Sequence, residues 1–227
     1  MKNIWHLFDG GSRESQALSR YAMETDRRLR LFRDLSEIPC TDIEAGVMIS
    51  GSVEIVQKAL NRSFTPEYFP QFTKEFTGRE IWYANKLNDI QEKTFIKPAD
   101  SYKRFDGFIY DPLKLYEDIP EGPYELQTLV EILKEGRYYI AYGDIICDGW
   151  YSQDPEAEES ESPPLPMNLK IPKSWCGTID VAELKSGEIV IVETHLPFSV
   201  GWYGNSKDFI KYGIWLEKGW EYLKNLP

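Results

Sequence analysis

Two periodicities in the apolar positions divide the chain into recognisable elements. Gly46-Val47-Met48-Ile49-Ser50-Gly51 reads as a short buried strand closed by a glycine turn. Ser52 stands where it can cap a helix over Val53 to Leu60, and Ile55, Val56, Ala59 and Leu60 give that helix an apolar face. Strand, Gly-Ser turn and helix make half of an α/β unit. Pro66 and Pro70 punctuate the next stretch, and Phe76 to Leu87 fits either a further helix or an irregular packing segment.

Further along, the period shortens to two. Thr94 to Pro98 is a short strand ended by its proline, and Phe105 to Tyr110 reads as its antiparallel return. Tyr124 to Val130 is a third strand, while Leu129 to Lys134 fits a continuation of it or a helical turn. Arg137 to Tyr142 and Ile145 to Cys147, joined by Gly143-Asp144, predict a hairpin. Thr178 to Leu184 and Ile189 to His195, joined by Ser186-Gly187, predict another. Between the hairpins, residues 152–166 carry five acidic residues, several prolines and no aromatic, and read as a mobile acidic loop. Lys207 to Leu226 is an amphipathic helix with Phe209, Ile210, Ile214, Leu216, Trp220 and Leu223 toward the core. These elements set the boundaries as a reduced α/β layer over residues 1–90 and a β-rich region over residues 91–227.

Composition narrows the partners. The chain has 227 residues, enough for a sizeable core, and a net charge of −11. Such a surface repels phosphate backbones, so duplex nucleic acid is excluded as a partner, although a local basic pocket is not. Cys40, Cys147 and Cys176 form no close pair and no zinc spacing, which points to unpaired thiols in a reducing compartment. Met1 to Phe8 lacks the pattern of a signal peptide, and no run approaches the roughly 18–20 apolar residues of a membrane span. A cytoplasmic protein that does not enter the membrane is expected.

The last hairpin carries the candidate chemistry. With Ser186-Gly187 as a two-residue turn, Asp180 falls opposite Glu193, on a face shared with Ala182, Leu184, Ile189 and Ile191. His195, two residues beyond Glu193, points the same way. Like charges opposite each other cost roughly 0.2–1 kcal/mol. A divalent cation reverses that penalty, and Mg²⁺ favours such carboxylate oxygens together with substrate phosphates. The alternative is a frayed sheet end in water. Lys97, Lys103 and Arg137 are the candidate phosphate ligands: Lys97 on a strand, Lys103 in a loop that ends Phe105-Asp106-Gly107, and Arg137 at the start of a strand. A surface lysine and a rim ion pair of Arg137 with Glu131 or Glu135 are the bland alternatives.

The segments FIKPADSYKRFDG, EILKEGRYYIAYGDII and GTIDVAELKSGEIVIVETHLPFSVGWY, in that order, resemble the ATP-grasp fold. The resemblance is greatest to the short bacterial and phage-type clade marked by two lysines and an arginine, and it spans roughly residues 46–224. It implies an α+β, ATP-grasp-like fold of two β-rich lobes behind a reduced N-terminal α/β layer. It implies ATP and Mg²⁺ as cofactors: Lys97 and Lys103 on the nucleotide phosphates; residues Gln127 to Glu131, Leu129 among them, as the hinge near adenine and ribose; Arg137 where an acyl phosphate forms; and Asp180 and Glu193 on Mg²⁺. The family usually has Asn two residues after the metal-binding Glu, and this chain has His195, whose imidazole can bind a metal or hydrogen-bond phosphate, although Mg²⁺ prefers oxygen. The implied activity is a carboxylate–amine ligase acting on small-molecule or peptide substrates. A catalytically weakened nucleotide-binding or partner-binding protein, and a kinase-like phosphotransferase on the same site, are the alternatives. Cys147, Cys176 and His6 are expected to be structural.

Overall fold

The computed structural model describes residues 4–102, 104–151, 161–204 and 207–226. A parallel three-stranded sheet opens the chain, ordered β2 (Arg28–Phe32), β1 (Ile4–Phe8), β3 (Met48–Ser50). β1 lies in the middle with Trp5, His6 and Leu7 all buried, as a parallel strand covered on both faces requires. The apolar patch too short for a signal peptide is therefore a core strand. Helix α1 (Arg13–Glu24) follows β1, capped by the Ser12 side chain, which accepts the Ser15 N–H. A short helix α2 (Cys40–Glu44) precedes β3 and α3 (Val53–Leu60) follows it. Ser52 holds the cap position of α3 but makes no side-chain cap bond. His6 is buried with its Nε2 2.9 Å from Asp42 Oδ2, as its structural role requires.

Two antiparallel sheets of four strands complete the fold. The middle sheet runs β4 (Ile81–Ala84), β7 (Tyr124–Gln127), β5 (Thr94–Pro98), β6 (Phe108–Tyr110). The second runs β11 (Ile189–His195), β10 (Cys176–Leu184), β8 (Ile132–Ala141), β9 (Asp144–Tyr151). The result is α+β with the architecture the sequence implies. β4 falls within residues 1–90 yet pairs with β7, so the middle sheet takes strands from both sides of the expected boundary. Phe76 to Leu87 is not a helix: Gly78, at φ +60°, breaks the chain after a 3₁₀ turn over Gln71–Phe76, and β4 comes next. Tyr124 to Val130 ends as a strand at Gln127, and Ile132 to Lys134 open β8 rather than a helix.

Helix α4 (Phe209–Asn225) locks the first layer to the last sheet. Trp215 is fully buried, and its indole N–H donates to the carbonyls of Ile140 (3.0 Å) and Gly177 (3.2 Å). On the other side of α4, a Cβ on Gly213 would lie 2.3 Å from the Tyr21 ring, so only glycine lets α1 and α4 approach this closely. The expected core face of α4 needs correction. Tyr212, Trp215, Leu216, Trp220 and Leu223 point inward, while Ile210 and Ile214 are exposed.

The acidic loop also differs in part from expectation. Residues 152–160 lie outside the described residues, but Pro163 and Pro166 are buried, and the Tyr138 hydroxyl donates to the Pro163 carbonyl at 2.8 Å. Gly136 makes room for this packing, since a Cβ there would meet Ser162 at 2.8 Å. Among the described residues no helix is long and apolar enough to cross a membrane.

Candidate active site

Asp180 and Glu193 do stand opposite each other, but by a different route from a two-residue turn. Between the closing residues Leu184 and Glu188 the turn has three residues, Lys185-Ser186-Gly187, held by bonds from Leu184 N–H to Glu188 O (2.9 Å) and from Gly187 N–H to Leu184 O (2.8 Å). Gly187 takes φ +84°, which favours glycine. The longer turn shifts the register by one, so Ala182 pairs with Val190 and Val181 with Ile191. A β-bulge at Val192 then shifts it back, and Asp180 meets Glu193. The apolar residues beside the two acids are consequently Ala182, Leu184, Val190 and Val192. Ile191 instead faces the opposite core with Val181 and Ile140, and Ile189 packs against that same group. A one-residue slip turns side chains over, and that is the correction to the expected face.

Arg79, just before β4, holds the bulge. Its guanidinium donates to the carbonyls of Ile191 (3.1 Å) and Val192 (2.5 Å) and to Gln127 Oε1 (2.9 Å). The next residues of β11 are tied down as well: Thr194 N–H donates to Tyr68 O at 2.9 Å, which fixes Tyr68 beside the site.

Above this frame the charged side chains converge. His195 Nε2 lies 2.8 Å from Glu193 Oε1 and 3.8 Å from Asp180 Oδ2. One ligand atom from each of the three lies within 4.8 Å of the others. Lys97 Nζ is 2.8 Å from Glu193 Oε2 and 3.3 Å from Glu125 Oε1, and sits 3.3 Å from the centre of the Tyr68 ring. Arg137 grips Asp180 with two parallel bonds of 2.7 and 2.6 Å, and its guanidinium lies 4.6 Å from the centre of the Tyr203 ring. The alternative rim pair of Arg137 with Glu131 does not form, since Glu131 is bound to Lys185 at 3.0 Å.

The ionisation states are set by these contacts. Burial pushes the Glu193 carboxyl up, but Lys97 and then His195 outweigh it and hold the group well below the usual carboxylate range. Burial likewise works against the Arg137 charge, and Asp180 more than compensates, so the guanidinium stays charged. Glu135, two residues before Arg137 and on the same sheet face, behaves oppositely. Burial first, then Asp180 and Glu193, push it up to about 7.

Lys97, Arg137, Glu193 and His195 border one cavity of about 420 Å³, together with Gly107 and Tyr203. Gly107 is required where it stands, because a Cβ would lie 2.5 Å from the Phe95 ring. Two carboxylates and an imidazole aimed at one point fit a divalent cation, and the two flanking cations fit phosphate oxygens.

The other expected residues divide. Lys103 lies outside the described residues. Gln127 is buried, bonded to Glu125 and Arg79, while Leu129 and Glu131 are exposed on the segment joining β7 to β8. None of these three borders the cavity. Sequence reasoning misses Arg79, Glu125, Tyr68 and Glu135 as parts of the site. Glu125 was findable, because β5 and β7 set it directly across from Lys97. Tyr68 sits in a proline-rich stretch with no periodic signal. Cys147 and Cys176 are buried, and burial pushes both thiols up to about 12, which makes them poor nucleophiles.

Residues 76–211 match the family model for the ATP-grasp domain, R2K clade family 2. Several solved structures are similar in fold. N5-carboxyaminoimidazole ribonucleotide synthetase from Thermotoga maritima is 17% identical with a TM-score of 0.54, over 96% of this chain and 76% of that one. The ATP-grasp ligase PsnB, complexed with a phosphomimetic variant of its minimal precursor, Mg and ADP, is 11% identical with a TM-score of 0.53, over 96% and 99%. A RimK domain ATP-grasp protein from Sphaerobacter thermophilus DSM 20745 is 9% identical with a TM-score of 0.52, over 94% and 97%. At these identities the likeness is one of fold. No curated protein matches the chain.

Proposed function

The chain belongs to the ATP-grasp domain family, R2K clade family 2, and on that premise we propose that it is an ATP- and Mg²⁺-dependent ligase that joins a carboxylate to an amine through an acyl phosphate. Family and fold support an ATP-dependent ligase in general. The observation that carries the finer reading is the meeting of Asp180, Glu193 and His195 with Lys97 and Arg137, of which all but the buried Asp180 border one cavity.

In this reading Asp180 and Glu193, with His195, hold the cation, which when bound neutralises part of the triphosphate charge. Lys97 is held between two carboxylates and over an aromatic face, so its ammonium is fixed before the nucleotide arrives. Arg137 is oriented by its two bonds to Asp180 and a third to the Gly201 carbonyl at 3.3 Å. Such a guanidinium needs no reorganisation as charge moves from the γ-phosphoryl group to the leaving ADP. The carboxylate oxygen forms the new bond to phosphorus as the bond to ADP breaks. The amine then forms the C–N bond as inorganic phosphate leaves, and its proton passes to phosphate or solvent. Lys103 joins the phosphate contacts in the proposal, and Gln127, Leu129 and Glu131 flank the nucleotide base at the crossover between the sheets. The carboxylate and amine are small molecules or peptide ends, and the protein acts in the cytoplasm.

Calorimetric titration of ATP with Mg²⁺ into wild type and Glu193→Ala tests the site, and product analysis tests the reaction. ATP binding should weaken at least about tenfold in the variant. ADP and phosphate should appear only when an acid and an amine are both supplied. Equal affinity in both proteins removes the metal role. ATP binding with no ADP release across a broad acid and amine panel leaves a nucleotide-binding protein without turnover, and phosphate transferred to a hydroxyl points to a kinase.

A further inference from the structure

The cation site offers nitrogen as well as oxygen, and we propose that His195 Nε2 is a direct ligand that tunes the site toward a first-row transition ion of the Mn²⁺ type in preference to Mg²⁺. The inference deepens the nucleotide-dependent reading above and rests on it for the ion's purpose, but the binding is argued from the side chains alone.

Geometry comes first. Two ligand atoms about 2.1 Å from a shared octahedral ion lie about 3.0 Å apart when adjacent and about 4.2 Å apart when opposite. His195 Nε2 stands 2.8 Å from Glu193 Oε1 and 3.8 Å from Asp180 Oδ2, and the three donor atoms span no more than 4.8 Å. These are the edges of a coordination polyhedron with small adjustment. The bonds from Arg137 use one lone pair on each Asp180 oxygen, and each oxygen keeps another. The imidazole is fixed edge-on against the Tyr68 ring, 5.9 Å between centres.

A second observation points the same way. Thr178 is directly across the ladder from His195 and therefore on the same face. Its hydroxyl is fully buried and has no hydrogen-bond partner among the described residues. Buried hydroxyls are seldom left unpaired, and a water in the outer shell of a bound ion supplies the missing partner.

Chemistry selects the ion. Mg²⁺ takes oxygen ligands and gives up water reluctantly, so an imidazole adds little to its binding. Mn²⁺ shares the octahedral, oxygen-rich habit of Mg²⁺ but accepts imidazole nitrogen. Zinc binds imidazole more tightly still and also accepts three protein ligands with an open position, so these side chains distinguish a first-row transition ion from Mg²⁺ and not one first-row ion from another.

The test uses MnCl₂ and MgCl₂ with the full-length, nucleotide-free protein. Mn²⁺ binding is followed by loss of the free-ion electron paramagnetic resonance signal, Mg²⁺ by competition, and the ligand by spin-echo modulation from bound ¹⁴N. Wild type should bind Mn²⁺ at least about tenfold more tightly than Mg²⁺. It should also show ¹⁴N modulation. His195→Asn, which offers oxygen instead, should lose the modulation and most of the preference for Mn²⁺ over Mg²⁺. Absence of Mn²⁺ binding, absence of ¹⁴N modulation in wild type, or an unchanged preference in the variant overturns the inference; the wild-type spectra decide even if the variant fails to fold. ADP release from the same protein, measured after ATP, an acid and an amine are added, separates the two readings. Nitrogen-bound Mn²⁺ without ADP formation removes the ligase reading alone, and ADP formation without nitrogen coordination removes this inference alone.

Discussion

Replacing Lys97 by methionine removes the ammonium that stands between Glu125 and Glu193, keeping most of the side-chain volume. Lys97 and Glu125 are both buried, and Glu193 is about a quarter exposed with His195 as a second partner. At separations of 2.8 and 3.3 Å, each pair gains roughly 5–6 kcal/mol before the cost of desolvation is subtracted, for an effective dielectric near 20. That gain is largely offset in the intact protein, but the variant keeps the desolvation cost of Glu125 without the compensation. Breaking a buried pair in this way costs about 3–5 kcal/mol. Lys97→Met should therefore lower the unfolding free energy by that amount in urea titrations without metal or nucleotide. The double variant Lys97→Met/Glu125→Gln should recover at least half of the loss, because a neutral amide can remain buried with its Gln127 contact. A loss below about 1 kcal/mol, or a double variant no more stable than the single one, would refute the idea that Lys97 is a compensated buried charge.

The same frame yields three further expected outcomes. Glu135 has its folded-state pKa raised from 4.5 to about 7, so its contribution to stability is full below about pH 4.5 and is lost as pH rises through 7. Glu135→Gln should remove that decline, making the metal-free variant more stable than wild type at pH 8 by up to about 3 kcal/mol, and parallel stability curves from pH 5 to 8 would contradict it. Arg79→Met strips partners from the carbonyls of Ile191 and Val192 and should cost about 1–3 kcal/mol in thermal melts, with no loss counting against its role in holding the bulge. Deleting Lys185 should leave Ser186-Gly187 as a two-residue turn between Leu184 and Glu188 with Val181 still opposite Ile191, and should cost less than about 2 kcal/mol; a larger loss would show that the three-residue turn, not the core around Ile191, sets the register.

The hairpin shows what a chain discloses about its fold and what it withholds. Asp180 and Glu193 were legible as a facing pair because their sequence numbers fit a straight ladder around Ser186-Gly187. The protein reaches the same pairing with a three-residue turn and a compensating bulge, since that is the arrangement that buries Ile191 with Val181 and Ile140. Nothing local distinguishes the two solutions: both satisfy the turn glycine, both pair the acids, and only the partner surfaces decide. Those surfaces come from distant segments, Phe72 and Phe76 on one side and Val130 on the other, whose approach no periodicity reports. Arg79 and Tyr68 escape a sequence reading for the same reason, as each reaches the site from an irregular stretch. The parallel sheet was half visible, through β3 and α3, because its central strand is short enough to pass for an ordinary terminal patch. Lys97, Arg137 and His195, by contrast, lie on strands, where a period of two carries a side chain's direction over a whole element. The legible part of the site is thus the part built on regular ladders, and the hidden part is what holds those ladders in register.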